Sequence, residues 1–179
     1  MRGIVFTEYM EFLESNFGYE IVDKILLEAD LPSGGTYTAV GSYDHSELVE
    51  IVMHSSRLSG KAAPELLKGF GKFLFQVFKK GYPVFFEGKI SSFDFLSTIE
   101  DKIHPQVLKL YPDAELPRFD VSVSGNKMEM IYSSSRSMAD FAEGLIEGCF
   151  EDFNEQAEIL KENLQEDGTK VRFTITKTA

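Results

Sequence analysis

Residues 119–132, FDVSVSGNKMEMIY, decide the fold class of this chain, because the hydrophobic period changes here. Upstream, apolar residues recur every three or four positions, whereas here they recur every second position, as in half-buried strands. Residues 124–127, SGNK, separate two such runs and are typical of a tight hairpin turn. We therefore predict an antiparallel hairpin that follows a largely helical region.

The segments around this hairpin complete the predicted fold. A second hairpin is expected between Ala157 and Ile175, with its turn at Asp167-Gly168. Helices followed by two hairpins that flank one helix predict an α+β fold with a four-stranded antiparallel sheet. Pro105 falls inside the predicted helix 93–110, where it removes a backbone hydrogen bond and should bend the helix. The predicted helices are residues 4–17, residues 21–28, a segment capped by Asp44 or Ser46, residues 66–78, residues 93–110 and residues 138–153.

Composition and charge exclude several classes of function. A chain of 179 residues is expected to form one domain. Its formal net charge of -11 argues against binding to nucleic acid or anionic membranes, so small molecules or proteins are the expected partners. The single cysteine, Cys149, excludes an intramolecular disulfide and any multi-cysteine metal site. No signal peptide or membrane-length apolar run is recognised, which predicts a cytoplasmic protein.

Residues 132–136, YSSSR, directly follow the first hairpin. If the strand continues, Tyr132, Ser134 and Arg136 share one face and present a phenol, a hydroxyl and a guanidinium in a row. Such a row suits one or two carboxylates or phosphates, which arginine can bind through two parallel hydrogen bonds. The alternative is a polar strand end that faces water.

His104 differs from the other two histidines, because it lies in an apolar helical stretch with Asp101 one turn before it. It is either a partly buried, hydrogen-bonded imidazole or a metal ligand. One cysteine and no second buried histidine make a protein-only metal cage hard to assemble. Haem needs a single protein ligand, a wide apolar slot and an anion clamp for its propionates. The 16 phenylalanines of the chain could form such a slot.

Nucleophilic catalysis finds no support in the sequence. The serines at 133–135 lack an adjacent base or a nucleophile elbow, and Cys149 is most simply a core residue. The glycines at 34–35 and 69–71 do not follow a strand, so they do not form phosphate loops. An enzyme is therefore not expected.

His104, Pro117 and residues 132–136, in this order and spacing, resemble the H-NOX family, the haem–nitric oxide/oxygen binding domains related to the haem domain of soluble guanylate cyclase. The resemblance spans essentially the whole chain and includes residues 1–5, MRGIV, and 145–148, LIEG. It is closest in character to a stand-alone bacterial NO sensor. It implies about seven helices, with haem b held non-covalently between a distal helical lobe, residues 1–62, and a proximal lobe, residues 63–179, that contains the sheet.

The resemblance also implies a role for each matching residue. His104 corresponds to the proximal ligand of the haem iron, and Pro117 to the proline that presses on the porphyrin and distorts it. Tyr132, Ser134 and Arg136 correspond to the signature that binds the propionates. The positions that line the distal pocket correspond to Val5, Leu74, Phe78, Phe141 and Leu145.

Phe141 departs from the pattern of oxygen-binding relatives, which carry a tyrosine there whose hydroxyl donates to dioxygen. Leu74 likewise replaces a polar residue that supports this tyrosine. Bound dioxygen favours a nearby donor, whereas NO binds ferrous haem strongly without one. The sequence therefore predicts an NO sensor, which also binds CO, that excludes oxygen. The alternative is an oxygen-binding member in which Tyr9 supplies the donor.

Signalling is expected to follow from ligation. In this family NO weakens the bond between iron and histidine, which would free the His104 helix and let one lobe move relative to the other. No kinase or cyclase motif is present, so a monomeric sensor acting on a separate histidine kinase or cyclic-di-GMP enzyme is expected. Two rivals stay open: a haem peroxidase, for which the distal residues offer no acid–base group, and a haem-free module that binds a lipid-like carboxylate through Arg136.

Overall fold

The chain divides into two compact units between Phe70 and Gly71, within one long helix. The computed structural model describes residues 1–178, and Ala179, the last residue of the predicted proximal lobe, lies outside the described residues. No helix among the described residues is long and apolar enough to cross a membrane.

The α-helices are α1 Gly3–Phe17, α2 Tyr19–Glu28, α3 His45–Ser59, α4 Ala63–Gly81, α5 Ser92–Leu96, α6 His104–Leu110 and α7 Ala139–Asp152. The strands are β1 Arg118–Ser124, β2 Lys127–Ser133, β3 Ala157–Asn163 and β4 Lys170–Lys177.

The first unit consists of α1, α2, α3 and the start of α4, and glycines end two of these helices. Gly18, at φ 86°, terminates α1, and Gly60, at φ 73°, terminates α3 in the left-handed region that glycine tolerates. Asp44 caps α3 by accepting a hydrogen bond from the backbone N–H of Ser46 at 2.8 Å. The buried apolar residues of this unit are Phe6, Tyr9, Phe12, Leu13, Val22, Ile25, Leu48, Ile51, Val52, Leu66 and Phe70.

The second unit contains an antiparallel sheet with strand order β1-β2-β4-β3. Ser124 pairs with Lys127, so Gly125 and Asn126 form a two-residue turn, and Gly125 takes the positive φ of 61° that this turn requires. Met128, Met130 and Tyr132 are all buried, as their alternation predicts. The predicted α+β fold with a four-stranded antiparallel sheet is confirmed.

Two glycines let α4 and α7 approach closely in the second unit. A Cβ on Gly71 would lie 2.4 Å from the carbonyl oxygen of Phe141, and one on Gly148 would lie 3.0 Å from the Cβ of Phe75. Farther along both helices, Lys79 pairs with Asp152 at 2.5 Å. Residue numbers increase together along the two helices, so α4 and α7 run side by side in the same direction.

The predicted continuous helix over residues 93–110 is wrong. The segment breaks after α5, and a π-helical turn, Ile99–Ile103, leads into α6. In this turn the backbone N–H of Ile103 donates to Thr98, and that of His104 donates to Ile99, each five residues back. Pro105 has no N–H and its ring would collide with the carbonyl four residues earlier in a regular helix, so the wider turn accommodates it.

Candidate functional site

Residues 134–137 leave the sheet in a turn rather than continuing the strand. β2 ends at Ser133, and Ser134 Oγ accepts a hydrogen bond from the backbone N–H of Arg136 at 3.2 Å. Ser137 has a positive φ of 51°. The prediction that Tyr132, Ser134 and Arg136 form a row on one strand face is therefore wrong. Serine side chains compete for backbone N–H groups and favour such turns over extended strands.

The hydroxyls of Tyr132 and Ser134 are held by accepting hydrogen bonds from the backbone. Tyr132 is buried, and its hydroxyl oxygen accepts from the backbone N–H of Met138 at 2.9 Å. Ser134 Oγ accepts from Arg136 in the same way. A hydroxyl that accepts one bond still has its own hydrogen to donate. Both groups are thus oriented by the protein and can donate to an anion.

Arg136 already binds a carboxylate in this structure. Its guanidinium donates to the carbonyl oxygen of Glu115 at 3.0 Å and to the carboxylate of the same residue at 3.0 Å. The Arg136 side chain is only 16% exposed, whereas that of Glu115 is 78% exposed. A partly buried guanidinium that holds an exposed, displaceable carboxylate has the chemistry that a haem propionate requires.

His104 lies at the first residue of α6, with its side chain 14% exposed. Its Nδ1 lies 3.3 Å from Oε2 of Glu100, and burial lowers the pKa of the imidazole while Glu100 acts in the opposite direction. Burial therefore favours the neutral imidazole, which is the form that binds metals. Asp101, the carboxylate that the sequence pointed to, is exposed instead.

Phe119 connects His104 with the polar turn. Its ring centroid lies 6.1 Å from that of His104 and 5.8 Å from that of Tyr132. Its backbone N–H donates to Glu100 Oε2 at 3.0 Å. Pro117 immediately precedes β1, whose first residue pairs with Ser133 at the end of β2. The histidine, the proline and the anion-binding turn therefore converge on the start of β1.

Sequence reasoning missed two residues of this cluster, Glu100 and Phe119. Each carried a usable signal. Glu100 precedes His104 by four residues, a spacing that places side chains on one helix face. Phe119 is opposite Tyr132 in the predicted hairpin, where directly paired residues have neighbouring side chains.

The apolar residues assigned to the distal pocket lie on three helices. Leu74 and Phe78 belong to α4, and Phe141 and Leu145 belong to α7, which contacts α4 at Gly71. Leu74 is fully buried and the other three are partly buried. Val5 lies on α1, in the first unit. None of these side chains can donate a hydrogen bond to a bound gas.

Tyr9 has a buried hydroxyl without a hydrogen-bond partner of acceptable geometry among residues 1–178. Burial raises the pKa of this phenol to about 12, against a smaller opposite effect of the Ser55 hydroxyl. Ser55 itself donates to the carbonyl of Ile51 at 2.7 Å. Tyr9 therefore carries a donor that its surroundings within the first unit do not use.

Metal-binding side chains do not cluster in the described part of the chain. No group of three or more His, Cys, Asp or Glu residues is placed there to hold a metal ion. Cys149 is buried, and burial raises the pKa of its thiol well above the usual range. A haem requires only a single protein ligand, so it does not depend on such a cluster.

Known proteins resemble this chain in both sequence and structure. The sequence model of the haem-NO-binding family matches residues 2–161. An Fe(II) unliganded H-NOX protein from K. algicida is 40% identical, with a TM-score of 0.95 over 100% of this chain and 97% of that one. The H-NOX domain from Shewanella woodyi in the Fe(II)CO state is 44% identical, with a TM-score of 0.84 over 99% and 95%. An H-NOX protein from S. oneidensis in the Fe(II)NO state is 25% identical, with a TM-score of 0.91 over 100% of both chains. The match over most of the chain, joined to a histidine and a carboxylate-binding arginine at one end of the sheet, shows that this chain belongs to the haem-NO-binding, or H-NOX, family of haem-based gas sensor domains.

Proposed function

We propose that the chain, as a single domain, binds haem b non-covalently with His104 as the protein ligand of the iron, and that it senses nitric oxide. The observation that carries the proposal is the convergence of three groups around Phe119. The His104 and Tyr132 rings lie 6.1 Å and 5.8 Å from it, and the turn after Tyr132 supplies an arginine that binds a carboxylate. When bound, haem supplies a ferrous iron that takes up diatomic gases.

The donor set of this cluster suits haem. Nδ1 of His104 faces Glu100, which leaves Nε2 for the iron. Arg136 would hold the propionates together with the hydroxyls of Tyr132 and Ser134. The Glu115 carboxylate would either leave the guanidinium or bind it alongside a propionate. Pro117, between Glu115 and β1, would contact the porphyrin.

Selectivity for NO over dioxygen is proposed from the apolar side chains on α4 and α7. Leu74, Phe78, Phe141 and Leu145 offer neither a hydrogen-bond donor nor an acid–base group. A polarised dioxygen ligand would therefore find no stabilising donor among them, whereas NO needs none. The same lack of an acid–base group disfavours a peroxidase.

The proposed signal passes through α6. None of its residues is fully buried, and Leu108 and Leu110 are exposed, so apolar packing holds this helix weakly. Its first residue, His104, is then a main point of attachment, and release of His104 from the iron would free the helix to shift. We propose that a separate effector, such as a histidine kinase or a cyclic-di-GMP enzyme, detects that shift.

The gas preference is tested by absorption spectroscopy of the purified protein, reduced and then exposed to NO, CO or air. We expect the reduced protein to bind NO and CO and to form no stable complex with dioxygen. A stable dioxygen complex in air would contradict the proposed selectivity. Absence of a Soret band after haem is supplied would instead favour a haem-free carboxylate-binding module.

The variant Tyr9→Phe distinguishes an NO sensor that excludes dioxygen from an oxygen-binding protein in which Tyr9 is the donor. If the apolar side chains set selectivity, this variant binds the same gases as the wild type. Removal of a buried, unpartnered hydroxyl is also expected to raise the free energy of unfolding by about 1 kcal/mol, measured by urea denaturation. A dioxygen complex that forms in the wild type and is lost in Tyr9→Phe would instead make Tyr9 the donor.

A further inference from the structure

The carboxylate of Glu100 joins two parts of the site that are separate in the sequence. Oε2 lies 3.3 Å from Nδ1 of His104, at the long end of hydrogen-bond distance, and accepts the backbone N–H of Phe119 at 3.0 Å. The first contact reaches the start of α6 and the second reaches the second residue of β1. One oxygen therefore touches both the proposed iron ligand and the strand that follows Pro117.

The contact with Nδ1 determines what the other ring nitrogen can do. A neutral imidazole carries one hydrogen, and a carboxylate acceptor at Nδ1 keeps the hydrogen there. Nε2 then presents its lone pair, and the carboxylate increases the electron density that the ring can donate to a metal. A carboxylate beside Nδ1 would also restrict the rotation of the ring about its Cβ–Cγ axis.

Glu100, rather than its neighbour Asp101, makes this contact. The turn Ile99–Ile103 precedes His104, whose backbone N–H bonds to the carbonyl of Ile99. In this arrangement Glu100 is partly buried against the ring, while Asp101 is exposed. The guanidinium of Arg118 lies farther away, with its Nε 4.0 Å from Glu100 Oε1, on a side chain that is 81% exposed.

We propose that Glu100 is a positioning residue with two effects, an inference that rests on the proposed ligation of haem by His104. It orients and strengthens His104 as an iron ligand through Nδ1. It also ties α6 to the start of β1, so that a change in the position of His104 reaches the Pro117–Phe119 segment through a single side chain.

The first effect is tested by resonance Raman spectroscopy of the ferrous, gas-free protein. The vibration between iron and His104 is expected at its highest frequency in the wild type, lower in Glu100→Gln and lowest in Glu100→Ala, because the acceptor is first weakened and then removed. Haem should dissociate about tenfold faster from Glu100→Ala, following the usual cost of losing such an outer contact. Asp101→Asn is the control, since it removes the same charge from the exposed neighbour of Glu100, and it should behave as the wild type.

The outcomes distinguish this inference from the proposed function. If the wild type shows no vibration between iron and a histidine, the proposed ligation itself fails. If that vibration is present in the wild type and unchanged in both Glu100 variants, ligation stands and the role of Glu100 is refuted. A loss of thermal stability without a change in frequency would mark Glu100 as merely structural and would also overturn the inference.

The second effect is tested by amide hydrogen exchange. The Phe119 amide should exchange about fivefold faster in Glu100→Ala than in the wild type, because it loses its acceptor. Amides in the middle of β2 should not change. In the wild type, NO should accelerate exchange at Phe119, and Glu100→Ala should abolish that response. Equal responses to NO in both proteins would show that Glu100 does not couple α6 to the start of β1.

Discussion

Replacement of His104 by glycine is expected to abolish the bond between the protein and the haem iron. Glycine removes the whole imidazole, and with it the Nε2 that we propose binds the iron, because Nδ1 faces Glu100 at 3.3 Å. Glycine leaves the space of an imidazole, and free imidazole added to the solution should restore the ferrous spectrum without restoring a covalent link to α6. Absorption and resonance Raman spectra, recorded with and without imidazole, measure both effects.

The same variant tests coupling to the effector. With imidazole bound but detached from α6, the variant should hold the effector in the state that NO produces in the wild type, and NO should cause little further change. His54→Gly is the control, because His54 is a partly buried histidine that contacts Glu50 on the same helix, at 3.0 Å. Haem binding and gas binding should be the same in His54→Gly as in the wild type. If His104→Gly, without added imidazole, shows the same vibration between iron and histidine as the wild type, the iron ligand is another residue.

The fold could be predicted largely because its signals are local. The alternation of Met128, Met130 and Tyr132 sets the buried face of β2, and the two-residue turn at Gly125 and Asn126 sets the pairing with β1. The helix over residues 93–110 was predicted wrongly for a related reason. Ile99, Ile103 and Val107 recur every four residues, so the apolar stripe continues across the break, and Pro105 lies after the π-helical turn rather than at the end of α5.

The candidate site was predictable in its residue types and only partly in its geometry. The donors of the YSSSR segment could be identified, but a hydrogen bond between Ser134 Oγ and the Arg136 backbone turns the chain away from the strand. Glu100 and Asp101 precede His104 by four and three residues, so helical spacing allows either carboxylate to meet the ring. The hydrogen bond from the Phe119 amide to Glu100 forms only when β1 packs beside the π-helical turn. Periodicity reports which face of an element is buried, and it does not report what that face meets.

Arg136→Ala is expected to produce the second large effect, a loss of haem affinity of about a hundredfold. Charge-assisted hydrogen bonds contribute about 1.5–3 kcal/mol each, and an arginine can offer two of them to one carboxylate. A loss near 3 kcal/mol corresponds to that factor. The measurement is the rate of haem transfer to an excess of an apo-globin acceptor. Arg136→Lys should fall between the wild type and the alanine variant, because lysine keeps the charge and loses the planar fork.

Glu115→Ala supplies the control that separates propionate binding from a structural role of Arg136. It breaks the observed contact between the two side chains, at 3.0 Å, without removing the guanidinium. If Arg136 holds a propionate, Glu115→Ala should retain haem as well as the wild type does, or better, since a competing carboxylate is gone. If Arg136 serves mainly to hold the segment before Pro117 through the side chain of Glu115, both variants should lose haem at similar rates. Equal losses would therefore remove Arg136 from the proposed clamp.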